Sequence, residues 1–279
     1  MATKKAASNA KKSTTNRSVA KKQNTTKVTT VKAVESHPIH RAASTGNVSR
    51  RLGLMRTPLV AALIAEFIGT FIFAGAVIAS SGQPLYVLFA LVGVVLAIGT
   101  ISGGYANPAL VIGAWVTRRM SGMRAIAYIV AQVLGAMLAL ALLSAFVHAV
   151  PQATTAYSNA PALFKVAALP KDHEWFIFWS ELVGMAIFGF AAASALRRET
   201  KRLTAALTLG LGLFLGLMVA GSAAAYLSAT TVLNPAVAVA LQGINFTSIW
   251  PIAIYFVGTS IGAVIGFVLF DYLRAAEKK

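Results

Sequence analysis

Six apolar stretches, each roughly the 20 residues needed to cross a lipid hydrocarbon core, leave this chain little choice of solvent. They run from Leu59 to Ser80, Leu85 to Ile101, Ala125 to Val147, Trp175 to Leu196, Leu203 to Leu227 and Ile249 to Leu273. In lipid every backbone N–H and C=O must be paired within its own segment, so each stretch is predicted to be a spanning helix. With 57% hydrophobic residues and a mean hydropathy of +0.71, the chain carries more apolar surface than a soluble core of its size needs. Two shorter pieces, Pro108 to about Val116 and Pro235 to about Leu241, would each reach only about 10 to 14 Å into a core about 30 Å thick. These are expected to enter the membrane without crossing it.

Charge tests the count of spans. Residues 1–56 hold thirteen of the 25 Lys and Arg residues in a stretch rich in Lys, Thr, Ser, Ala and Asn, without an aromatic residue or a sustained apolar run. This composition predicts a basic, disordered tail and no signal peptide. With a cytoplasmic N-terminus, six spans put Arg118, Arg119, Arg124, Arg197, Arg198, Lys201, Arg202, Arg274, Lys278 and Lys279 on the tail's side, and only Lys165 and Lys171 outside. A miscount by one span would scatter them over both faces, so the bias toward one side supports the number and the orientation together. The expected location is the cell membrane, multi-pass, with both termini cytoplasmic. The tail is expected to lie against anionic lipid, with nucleic-acid contact the lesser alternative, because no recognition helix, zinc spacing or stacking platform accompanies its charge. The absence of cysteine rules out disulfides and thiol metal sites, and the pair His37 and His40 reads as ordinary tail. No cofactor or metal is implied.

The chain is also written twice. Ala65-Glu66-Phe67-Ile68-Gly69 with Phe73 answers Ser180-Glu181-Leu182-Val183-Gly184 with Phe188, and Asn107-Pro108-Ala109 answers Asn234-Pro235-Ala236. Tyr128 with Gly135-Ala136 answers Tyr255 with Gly262-Ala263. Each half contains three spans, an odd number, so the halves are predicted to be inverted repeats, about 57–148 and 174–275, within a channel domain of 57–279. Gly135, Gly184 and Gly262 suit close helix contact in lipid. Glu66 and Glu181 are costly inside spans unless they find partners, and their matched places predict carboxylates that accept hydrogen bonds from loop backbone.

The duplicated Asn-Pro-Ala carries the function. Proline is tolerated at the first turn of a helix and asparagine caps the position before it, so each copy marks a helix start. Two such starts meeting in mid-membrane bring together two positive dipole ends and the amides of Asn107 and Asn234. Those amides can donate to a passing oxygen while the apolar walls offer little else, and the dipoles oppose cations and protons. This describes passive permeation, with no bond broken and no catalytic constellation to suggest an enzyme.

Over roughly Pro58 to Leu273 these residues resemble the aquaporin and aquaglyceroporin family of major intrinsic proteins. The resemblance rests on Ala65 to Thr70, on Ile101-Ser102-Gly103-Gly104-Tyr105-Ala106-Asn107-Pro108-Ala109, on Tyr128 with Ala131-Gln132 and Gly135-Ala136, and on Asn234-Pro235-Ala236. It implies an all-α, aquaporin-like fold of six transmembrane helices plus two re-entrant half helices, a homotetramer with one pore per subunit, and a channel for water or small neutral solutes such as glycerol, urea or ammonia. The family's usual arginine after the second motif is Val237 here, and no histidine follows Trp175. Counting from the motifs makes Val87, Ser222 or Ala223, Thr231 and Val237 the candidate selectivity filter, expected to be wider and less polar than a strict water channel's. The alternatives are a nonconducting membrane scaffold that works through its basic tail, and an ion-coupled secondary transporter.

Overall fold

The computed structural model describes residues 58–149, 163–197, 199–244 and 248–277, and the basic tail lies outside the described residues. Six helices in it are long and apolar enough to cross a bilayer: α1 (Pro58–Ala79), α2 (Pro84–Ser102), α4 (Gly122–Ala149), α5 (Glu174–Ala195), α6 (Arg202–Ala225) and α8 (Trp250–Glu277). Two short helices complete the described part, α3 (Pro108–Val116) and α7 (Pro235–Ala240). Near its start α8 takes wider π-helical turns over Ala253–Gly258. Prolines at or near the first turn of α2, α3, α7 and α8 cost no hydrogen bond, because the first-turn donors of a helix have no partner within it.

The packing follows the sequence repeat. Helix α1 packs on α2 and α4, and α5 packs on α6 and α8, while α2 and α6 meet between the halves. The short helices cross over: α3 packs mainly on α8 of the other half, and α7 mainly on α4. Their ends also match. Each C-terminus closes with a left-handed residue, Arg118 (φ 61°) or Gln242 (φ 58°), and two backbone bonds: Arg118 N to Trp115 O and Arg119 N to Ala114 O, answered by Gln242 N to Val239 O and Gly243 N to Ala238 O. Glycine normally takes that position, and a side chain there costs about 1 kcal/mol.

Two glycines set how closely the spans approach. A Cβ on Gly135 would collide with the carbonyl oxygen of Phe67 in α1, and one on Gly262 with the carbonyl oxygen of Leu182 in α5, at matched places in the repeat. Gly93 on α2 has nothing within 4 Å of such a carbon. We therefore expect Gly135→Val and Gly262→Val to reduce the monodisperse yield in mild detergent severalfold, and Gly93→Ala to leave it unchanged. Equal yields for all three would show that the backbone contacts are not limiting.

Candidate pore and its supports

Each short helix is started by an asparagine in extended conformation. Asn107 accepts from Ala109 N (2.9 Å) and Asn234 from Ala236 N and Val237 N (3.0 and 3.3 Å), so each side-chain oxygen caps its own helix. The nitrogens reach across: Asn107 Nδ2 donates to Leu233 O and Asn234 Nδ2 to Ala106 O, both at 2.8 Å. Both asparagines are 2% exposed.

The carbonyls they reach are held by buried acids. Glu66, on α1, accepts from Tyr105 N (3.1 Å), Ala106 N (2.9 Å) and Gln132 Nε2 (2.7 Å). Glu181, on α5, accepts from Val232 N (2.6 Å) and Leu233 N (2.9 Å). Two crossed chains result, Glu66 to Ala106 to Asn234 and Glu181 to Leu233 to Asn107, so each acid positions the asparagine of the opposite half. Ala106 (φ 44°) and Leu233 (φ 54°) both take the left-handed conformation that turns the N–H toward the acid and the C=O toward the asparagine. Tyr128 OH on Ser102 O (2.9 Å) and Tyr255 OH on Thr230 O (3.3 Å) brace the two loops at matched places. Gln132 has no counterpart, since its place in the second half is Thr259, whose hydroxyl donates within its own helix to Tyr255 O (2.9 Å).

The filter candidates divide. Val87 and Val237 are both buried, 4% and 1% exposed, and present apolar side chains to their surroundings. Thr231 is half-buried, and the helix residue facing it is Gly221, on which a Cβ would lie 3.4 Å from Thr231 Oγ1. Ser222 and Ala223 are exposed, and Ser222 Oγ donates to Val219 O at 3.0 Å. Gly221, a residue without a side chain, gives no chemical signal in the sequence.

A second unforeseen feature is Arg119, just beyond α3. Its guanidinium donates to Ala193 O (2.8 Å), pairs with Asp271 (2.5 Å) and lies over the Phe267 ring (4.9 Å), fastening the short helix to α5 and α8. Nearby, Arg197 donates to Glu199 Oε2 (2.6 Å) and holds that carboxyl below the usual carboxylate range. Among the described residues no group of three or more His, Cys, Asp or Glu side chains gathers as a metal site would need.

Six apolar spans packed with two short helices that are joined through their capping asparagines define a multi-pass membrane protein of the channel class. The model of the family "Major intrinsic protein" matches residues 53–270. The lens fiber major intrinsic protein of Ovis aries is 33% identical over 225 residues, covering 76% of this chain and 80% of that protein. Aquaporin AqpM of Methanothermobacter thermautotrophicus is 30% identical over 248 residues, covering 76% and 96%. The glycerol uptake facilitator protein-like 6 of Lactiplantibacillus plantarum is 38% identical over 101 residues, a match that spans 33% of this chain and 46% of that relative. Among solved structures, the X-ray structure of the aquaglyceroporin from Plasmodium falciparum shares the fold with a TM-score of 0.59 at 18% identity, over 78% of this chain and 98% of that one. The chain belongs to the major intrinsic protein family, whose members are channels and not enzymes.

Proposed function

We propose that this protein is a passive channel for water and small neutral solutes, with one pore per subunit of a homotetramer and both termini cytoplasmic. In this reading α3 and α7 are re-entrant half helices of inverted repeats, entering from opposite faces of the 57–279 channel domain, and residues 1–56 are an appended basic tail. The observation that carries it is the crossed pairing of Asn107 with Leu233 O and Asn234 with Ala106 O. An amide NH2 has two hydrogens, and the carbonyl contact uses one. The other remains for the oxygen of a permeant at the meeting point of two helix N-termini, each carrying about half a positive charge. A water molecule there can accept from the amides, while cations and protons meet an unfavourable field.

The hydrogen bonds of the buried acids favour a channel over the ion-coupled alternative. A transporter needs an intramembrane charge free to bind a cation or a substrate, and the two fully buried carboxylates among the described residues, Glu66 and Glu181, each accept from two backbone donors. Proteoliposome swelling read beside an internal pH dye tests the channel. Water permeability should rise severalfold over protein-free vesicles with no added proton leak, and Asn107→Leu should return it most of the way to the protein-free rate. Removing residues 1–50 should leave it unchanged. Native vesicles no faster than protein-free ones would favour the nonconducting scaffold.

A further inference from the structure

At the end of the molecule where α3 terminates, a cavity of about 420 Å³ opens between Arg118, Arg119, Arg197 and Arg274, with Glu199 and Asp271 the acids in its lining. Each acid is already taken, Asp271 by Arg119 and Glu199 by Arg197. Among the described residues, Arg118 and Arg274 form no ion pair, Arg274 acting on Glu199 only at longer range, so four cations face two anions and the cavity keeps two positive charges in excess. Arg118 is also the residue that holds the left-handed position at the end of α3, where glycine would be unstrained. Its side chain lines the wall of the cavity. Its counterpart on α7, Gln242, is neutral.

We propose that this cavity binds a phosphate-bearing anion. Guanidinium groups present paired donors that match phosphate oxygens, and two uncompensated charges suit a dianion better than a monovalent ion. The volume lies in the range of small-molecule sites, large enough for a phosphorylated metabolite or a lipid headgroup. Tyr105 also lines the cavity, two residues before Asn107 in the loop that Glu66 holds. On the pore reading given above, an occupant stands at the mouth on this face and slows permeation.

The test uses the full-length protein in detergent with pyrophosphate as the probe, binding being measured by calorimetry without any solute flux. Arg118→Gly places at that position the residue its backbone favours, so it should fold, and Arg274→Gln keeps polarity while removing charge. Each should weaken binding by about tenfold, the scale of one charge-assisted contact, and the basic tail, unchanged in both, serves as an internal control. No binding, or equal affinity in the native chain and the double variant, would overturn the site. Nanodiscs of phosphatidylcholine with and without phosphatidic acid separate the sources. Competition by phosphatidic acid, present in the native chain and lost in the double variant, supports a headgroup, and undiminished pyrophosphate binding in both disc types supports a soluble phosphate. With pyrophosphate on both faces of proteoliposomes, water flux should fall in the native chain and not in the double variant. Undiminished flux in vesicles that bind the probe would overturn the obstructing role, and failure of the channel reading itself would show instead as no flux before pyrophosphate is added.

Discussion

Proteoliposomes of the native chain should pass water and ammonia well above the protein-free rate, while glycerol and urea stay near it. The sequence alone suggested the opposite outcome for the larger solutes, because valine in place of arginine removes bulk. Burial argues for a different outcome: Val237 is 1% exposed and Val87 4%, so the candidate filter positions carry packed apolar side chains and offer a permeant no hydrogen bonds. A solute that passes them must shed water without recovering those hydrogen bonds, a cost that grows with each hydroxyl or amide it carries. Ammonia gives up least and glycerol, with three hydroxyls, most. Val237→Ala should therefore raise urea and glycerol permeability by about tenfold, the scale on which a few methyl groups discriminate in an apolar site. Val237→Arg, where it folds, should lower ammonia permeability relative to water by placing a permanent charge and five donors at that position. Rapid glycerol swelling of native vesicles would sink this account by showing that the two valines part readily.

The largest loss of folded protein is expected from Glu66→Leu. Leucine has nearly the volume of glutamate and suits a span, but it abandons three donors, Tyr105 N, Ala106 N and Gln132 Nε2. Each buried donor without a partner costs about 1 to 3 kcal/mol, so the total is of the order of a whole domain's stability. Glu181→Leu abandons two donors, Val232 N and Leu233 N, and should be the milder of the pair. Glutamine at either place keeps an acceptor and should preserve part of the yield and flux. The ranking Glu66→Leu below Glu181→Leu below both glutamine variants can be read by fluorescence-detected size exclusion of tagged protein. A reversed or flat ranking would mean that the acids do something other than hold the loops.

Much of this architecture could be read from residue order because lipid imposes simple rules. Span length, the exclusion of charge and the gathering of Arg118, Arg119, Arg197 and Arg274 at one end follow from the cost of polar groups in hydrocarbon. The same cost marked Glu66 and Glu181 as groups in need of donors. What stayed hidden depends on distances between segments far apart in sequence. Asn107 and Asn234 were legible as helix caps, whereas their reach to carbonyls 126 and 128 residues away was not. Arg119 read as one more loop charge, although its contacts with Ala193, Asp271 and Phe267 make it a clamp. The width of the filter was not legible either, because a missing side chain leaves space only if its neighbours do not fill it.

The crossed chains from acid to asparagine have a consequence in time. When the ribosome has delivered residues up to Ala149, Glu66 can already hold Tyr105 and Ala106, but Asn107 lacks the carbonyl of Leu233 and the helix α3 lacks α8, its principal packing surface. In the first half alone the short helix α3 keeps its packing on α4 but lacks the larger surface of α8, so its seat is completed only when nearly the whole chain has been made. Assembly then completes late and from both halves at once. Two fragments, divided in the connection between α4 and α5 and expressed together, should accordingly rescue each other, while each alone is degraded.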